Sequence, residues 1–224
     1  MAEPLSKAPP PPLTAEMRAQ RGKQTRLVGG TVSVLLIALV VWQGYEYRAS
    51  APERAEARVQ AGIKLMSPGH YEEAAVQFSE ALETDPNSWN GYLQRGLARQ
   101  NMSRPDDAIA DLQAALRFKP DLQEARAALG GIYGDKGDVP REIEELTKAI
   151  ALKPTVDAYS RRALAYAELG QHEAAIADFT WVIDTLRDVP LLYFGRAKSK
   201  RALGDLEGAI SDEKMAKSFG IGIK

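Results

Sequence analysis

Residues 62–86 read GIKLMSPGHYEEAAVQFSEALETDP, and the places of Gly62, Tyr71, Ala74, Phe78, Ala81 and Pro86 within that stretch decide the fold. Moved on by 34 residues, the same places hold Gly96, Pro105, Ala108, Leu112, Ala115 and Pro120. Another 34 gives Gly130, Val139, Glu142, Leu146, Ala149 and Pro154. The next copy arrives one residue early, with Ala163, His172, Ala175, Phe179 and Val182, and the last gives Ala197, Leu206, Ala209 and Ala216. Small residues recur where two helices must touch, and larger apolar ones where a gap must be filled. A fixed period of this size marks a stacked-repeat architecture in which each copy is one supersecondary unit.

Each copy reads as a helical hairpin. The predicted pairs are 55–67 with 71–84, 89–101 with 105–118, 122–135 with 139–152, 156–168 with 172–185, and 190–202 with 206–217. Gly69, Gly137, Gly170 and Gly204 supply the turns inside the pairs, and Pro86, Pro120, Pro154 and Pro190 punctuate the joins between them. Gly62, Gly96 and Gly130 fall in mid-helix, where each costs ~1 kcal/mol relative to Ala unless close helix approach recovers it. No single pair buries its apolar face, so stability is a sum of unit and neighbour terms.

The pattern resembles the tetratricopeptide repeat, TPR, a helix–turn–helix unit. The resemblance rests on the small residue of the first helix (A), the glycine turn, the Ala of the second helix (B) and the closing Asp85-Pro86-Asn87-Ser88. The segments Ala108-Ile109-Ala110-Asp111, Ala175-Ile176-Ala177-Asp178 and Ala209-Ile210-Ser211-Asp212 are near copies of one another. Glu142 departs from the usual Ala, which predicts looser packing of the third B helix, and the fourth unit closes on Arg187-Asp188 without a proline motif. The resemblance implies an all-α fold: a right-handed superhelical solenoid of about five TPR helix pairs with the A helices on the concave side. The units run 55–88, 89–122, 123–155, 156–189 and 190–217, an array over 55–217 with a tail at 218–224.

The front of the chain has a different character. Residues 1–26 are predicted to be a disordered, basic segment containing the run Pro9–Pro12. Residues 27–45, LVGGTVSVLLIALVVWQGY, carry no charge, and as a helix they extend about 28 Å, close to the ~30 Å hydrocarbon core of a bilayer. Trp42, Tyr45 and Tyr47 cluster at one end as interfacial aromatics do. One transmembrane helix, a signal anchor, is therefore expected before the solenoid, followed by a linker at 46–54. The rival is a cleaved signal peptide with its site at Ala49-Ser50-Ala51. The long leader, the long apolar run and Pro52 after the cut oppose it. Arg18, Arg21, Lys23 and Arg26 crowd the front flank, which puts the N-terminus in the cytoplasm and the array across the membrane, in the periplasm if the source is bacterial.

The formal net charge of −1 hides an asymmetry: residues 1–54 carry 7 basic and 4 acidic side chains, residues 55–224 carry 22 and 26. Neither the chain as a whole nor the array is basic enough to predict nucleic-acid binding. The chain has no cysteine, which excludes disulfides, thiol nucleophiles and cysteine-ligated metals. His70 and His172 both fall in the turns between helices A and B and read as surface residues rather than metal ligands. Asp106-Asp107 and Glu144-Glu145 read as solvated helix faces, and Trp89 and Trp181 as packing residues. No phosphate-cradling glycine loop is present. No catalytic residue, metal site, cofactor or small-molecule substrate is expected.

What remains is a binding groove. TPR proteins take an extended peptide or a partner helix along the inner faces of the A helices. Carried over by position, the resemblance points to Asn90, Leu93, Gln94, Leu97 and Asn101, then Ala128 and Gly131, then Ser160, Arg161 and Leu164, then Phe194, Lys198 and Arg201. The amides suit a peptide backbone, and Arg161, Lys198 and Arg201 suit an acidic stretch or a free carboxylate. One TPR subfamily clamps a chaperone's C-terminal carboxylate with Lys and Asn. Val59, Ile63, Gln94, Glu124 and Ala128 fill those places here, so the clamp is absent. The expected function is a non-enzymatic, membrane-anchored scaffold or adaptor that binds a protein or peptide partner for complex assembly or for envelope or secretion functions. The alternative is a structural subunit of a larger membrane complex, packed through its transmembrane helix.

Overall fold

The computed structural model describes residues 14–17, 37–44, 46–48 and 50–219. The chain divides into two compact units, 1–51 and 52–224. In the first, residues 15–17, 37–44 and 46–48 are helical. The expected span at 27–45 lies outside the described residues except for 37–44, and the expected tail except for 218–219. Among the described residues no helix is long and apolar enough to cross a membrane.

The second unit is a run of ten helices: α1 (Ala51–Lys64), α2 (Tyr71–Thr84), α3 (Trp89–Asn101), α4 (Pro105–Phe118), α5 (Gln123–Asp135), α6 (Val139–Leu152), α7 (Val156–Glu168), α8 (His172–Leu186), α9 (Pro190–Ala202) and α10 (Leu206–Ser218). This is an all-helical solenoid, and odd and even numbers are the A and B helices. Helix α1 begins and ends earlier than the repeat predicts. Pro52 and Glu53 suit a first turn, whereas Ser67-Pro68-Gly69 stops the helix short of 67. The later starts have local causes. Ser88, Asp138, Thr155 and Asp205 each accept a hydrogen bond from the backbone N–H three residues on. Gly69, Gly137, Gly170 and Gly204 turn with positive φ, and Ser103 takes the corresponding place in the second unit at φ 57.

Close approach holds the hairpins together. A Cβ on Gly62 would stand 2.5 Å from the fully buried Phe78 ring, and one on Gly96 would stand 3.0 Å from Leu112. The third pair is as tight: a Cβ on Gly130 would lie 2.8 Å from Leu146. The looser packing expected from Glu142 does not occur, because Gly134 opposite it leaves room for the carboxyl.

Arginines tie the two helices of a unit by ion pairs and each unit to the preceding one by hydrogen bonds. Arg95 of α3 grips Asp111 of α4 through both carboxylate oxygens at 2.9 and 2.8 Å and reaches back to the Ser79 hydroxyl of α2 at 3.1 Å. Arg162 does the same with Asp178 and Thr147, and Arg196 with Asp212 and Thr180. These arginines are held above their ordinary pKa chiefly by the aspartate hydrogen bonds. Burial alone would push the Asp212 carboxyl up, but hydrogen bonds from Arg196 and Lys200 outweigh it and hold it below the usual carboxylate range.

Two outcomes follow from this packing. Gly62→Ala is expected to destabilise by about 1–3 kcal/mol in denaturant melts despite alanine's better helix propensity, since Phe78 has nowhere to move. The Asp212 contribution to stability is complete above the ordinary aspartate pKa of 3.8 and is lost as pH falls through the lower folded-state value. Thermal melts from pH 6 down to about pH 2 should therefore show a decline below ~4 that is shallower in Asp212→Asn.

Candidate functional site: the inner face of the A helices

The A helices touch in succession, α3 with α5, α5 with α7 and α7 with α9, whereas among the described residues no two B helices come together. The A helices therefore form a continuous inner layer. Its step from α1 to α3 is tied by Asn90, whose amide donates to the two oxygens of Glu56 at 3.0 and 3.1 Å, and Gln60 donates to the same carboxylate.

The structure distributes the expected groove residues unevenly. Gln94 is half-buried and makes no hydrogen bond to a described residue, so its amide is available. Leu97 is half-buried against the core, and Asn101 is exposed while donating to the Leu97 carbonyl at 2.8 Å. Ala128 and the buried Gly131 form a floor of bare backbone, flanked by the Arg161 guanidinium and the Gln100 amide at 3.5 and 3.9 Å from where a Gly131 Cβ would stand. Leu164 is 56% exposed. Phe194 is half-buried, with the Lys198 ammonium 4.6 Å from its ring centroid.

Three expected residues serve the scaffold instead. Leu93, 2% exposed, belongs to the core cluster with Leu112, Leu129 and Ile132, because its Cβ lies about 100° round the helix from Gln94. Ser160 spends its hydroxyl on the Val156 carbonyl at 2.7 Å. Arg201 turns away to Glu213 on α10. Arg161 stays on the inner face but pairs with Asp157 at 3.2 Å, so the electropositive end expected there is largely neutralised. Two inner residues escaped the sequence reading: Leu191, 72% exposed and in register with Asn90 and Asp157, and Gln100, which flanks Gly131. Their 34-residue spacing from inner-face neighbours was the available signal.

The other chemical candidates have structural explanations. Asp106 pairs with Lys136, Asp107 with Arg104, and Glu144 and Glu145 with Lys148. His70 is exposed beside Glu73, but His172 opens α8 half-buried and is not a surface turn residue. No group of three metal-ligating side chains occurs among the described residues. Trp181 stacks on Tyr159 with centroids 4.0 Å apart, and Trp89 lies under Lys119.

An inner layer of helix faces carrying free amide and apolar groups belongs to an interaction scaffold built of helical hairpins. Residues 93–157 and 160–219 match the tetratricopeptide repeat family, and the chain belongs to that family. The tetratricopeptide repeat and J domain-containing co-chaperone DNJ1 of Cryptococcus neoformans is 30% identical over 109 residues, 49% of this chain and 21% of that protein. The Hsp70-Hsp90 organizing protein of Triticum aestivum is 32% identical over 94 residues, 42% of this chain and 16% of that protein. The chain thus spans about a fifth of the length of the curated relatives it matches. Among solved structures, MamA superposes with a TM-score of 0.68 at 24% identity, over 75% of this chain and 92% of MamA. YrrB, described as a TPR protein with an unusual peptide-binding site, superposes at 0.67 and 17% identity, over 72% and 84%. At these identities the likeness is one of fold.

The placement of Leu93 and Leu164 is open to a direct check. Leu93→Ala is expected to cost about 2–5 kcal/mol in a urea melt, as a buried leucine does. Leu164→Ala is expected to stay within ~0.5 kcal/mol of the parent.

Proposed function

We propose that the chain is a non-enzymatic, membrane-anchored TPR scaffold that holds a protein or peptide partner on its inner face, in the service of complex assembly, envelope maintenance or secretion. The observation that carries this reading is the inner face itself. Leu97, Leu164, Leu191 and Phe194 present apolar surface on the same layer as the free Gln94 amide, on helices that the B layer and the ion pairs fix in place. Such a face offers burial to a partner and a donor–acceptor pair to its backbone at little ordering cost.

Anchoring is supported by the uncharged stretch 27–45. Within it, Ile37, Val40, Val41 and Trp42 leave more than half of their surface exposed, as lipid-facing side chains do. The cations at 18, 21, 23 and 26 support a cytoplasmic N-terminus with the array on the opposite side, the periplasm in a bacterium. The likeness to co-chaperone relatives supports partner binding but not their partner, since Val59, Ile63, Gln94, Glu124 and Ala128 stand where a carboxylate clamp would need Lys and Asn.

A photo-reactive residue at Gln94, used in intact cells with mass spectrometry of the adducts, tests the reading. One dominant protein adduct, lost in Leu164→Asp, is expected. Adducts only from a control probe within 27–45 would move the binding role to the anchor and favour a packed subunit of a membrane complex.

A further inference from the structure

The inner face has a layout that specifies its occupant more closely. Glu56, Asn90, Glu124 and Asp157 hold one register position on successive A helices. The Asn90–Glu56 hydrogen bond fixes this as a row across the layer. Seven residues on, about 10 Å along each helix, a second row reads Ile63, Leu97, Gly131 and Leu164. Four residues further, about 6 Å, Asp135 and Glu168 follow Gly131 and Leu164. In the third and fourth units an apolar row therefore runs between acids on both sides; Ser67 and Asn101 take the second flank in the first two units, and in the fifth Leu191 and Lys198 end the two rows.

Few cations are left to neutralise these acids. Arg161 meets Asp157 and so takes one acid out of the first row, Arg201 is turned to Glu213, and Lys198 lies over Phe194. Glu56, Glu124, Asp135 and Glu168 form no ion pair with any described residue. The surplus is felt locally. Burial against Gly134 raises the Glu142 carboxyl above its usual range, and repulsion from Glu168 and Asp135 adds to the rise against the pull of Arg161. An acidic or purely hydrophobic occupant would leave these carboxylates repelled or desolvated without a partner.

We infer that the inner face takes a basic, amphipathic segment of a partner protein, with apolar side chains on the row of Ile63, Leu97 and Leu164 and Lys or Arg side chains on the flanking acids. The inference rests on the inner face being the binding surface, and it replaces the acidic ligand that Arg161, Lys198 and Arg201 suggest in the sequence alone.

The test uses the full chain in zwitterionic detergent, with protein-free micelles as the blank and three fluorescein-labelled peptides. One peptide is built of Leu and Lys, one has Glu for every Lys, and one has Ser for every Leu. Anisotropy titrations are expected to show binding of the Leu/Lys peptide alone, weakening as salt rises. The double variant Glu56→Lys with Glu124→Lys should weaken it roughly tenfold, two exposed attractions having become repulsions. Glu124→Gln should give a smaller loss, and circular dichroism should be unchanged in both variants. Leu164→Asp should abolish binding. If the Leu/Glu peptide binds as well, or charge reversal changes nothing while Leu164→Asp still abolishes binding, the basic class of partner is overturned and the binding surface stands. If no peptide exceeds the micelle blank, the basic amphipathic occupant is likewise overturned, and the Gln94 adducts decide separately on the surface. Binding indifferent to Leu164→Asp and to both Glu variants overturns the inner face as the site.

Discussion

The structure depends on one steric constraint: helix A and helix B of a unit meet with no side chain between them on one partner. Gly62 against Phe78, Gly96 against Leu112 and Gly130 against Leu146 are the same contact repeated. In the fourth unit Ala163 meets Phe179, whose ring also presses on Gly195 of the next A helix. Glycine in mid-helix is unfavourable by about 1 kcal/mol, and what offsets it is a large apolar residue packed to zero exposure. Because the contact fixes the distance within every hairpin, the remaining faces of helix A fall at defined angles. One meets the previous B helix, one meets the neighbouring A helices, and one stripe is left over.

The arginine pairs decide the charge of that stripe. Arg95, Arg162 and Arg196 sit on A helices but point outward to aspartates on B helices and to hydroxyls of the preceding unit. Each aspartate is almost wholly buried. Asp111 and Asp212 have a second cation in Arg99 and Lys200. Asp178 pairs with Arg162 alone among the described residues, so losing that arginine would strand a charge, a loss of roughly 3–5 kcal/mol in comparable buried pairs. The third unit shows how firmly an acid at this place demands a cation. Leu129 fills the arginine's place in the core, and Arg126, one helical turn earlier, reaches the longer Glu145 at 3.1 Å. In the first unit Gln77 holds the acid's place, and Arg58, again one turn earlier, pairs instead with Glu80 three residues on. These basic residues of the A helices are thus committed to the outer side, and Arg161 and Lys198 remain on the inner one. The acids of the same helices keep their places on the inner side with few cations to meet them.

The sequence made much of this legible, for reasons that also mark where it failed. Hairpin positions follow from a 34-residue repeat of small and large residues, because each such residue reports a contact inside its own unit. The arginine pairs join the two helices of one unit across 16 residues, and the same guanidinium reaches a hydroxyl of the preceding unit, so no local pattern announces them, although the Asp that closes Ala-Ile-Ala-Asp twice and Ala-Ile-Ser-Asp once was visible. Leu93 was misplaced because adjacent residues on a helix differ by about 100°, and one step of rotation separates core from surface. Arg201 was misplaced because a long side chain goes where its counter-ion lies, and Glu213 is on another helix.

Departures from the repeat are best understood in pairs. Glu142 alone promises a loosened third unit, yet Gly134 stands opposite it, where the other units carry Met66, Gln100, Ala167 and Arg201. A carboxyl needs the volume that a side chain at 134 would occupy, so the two changes make one accommodation and the Gly130–Leu146 contact survives. The accommodation also shapes the inner layer. The Glu142 carboxyl fills the space beside Gly134, whereas Gly131, three residues earlier on the same side of α5, carries no side chain and has Arg161 and Gln100 at its flanks. The centre of the inner face is therefore bare backbone at Gly131 bordered by an amide and a guanidinium, on the same turn of helix whose Gly130 and Gly134 keep the unusual third hairpin closed.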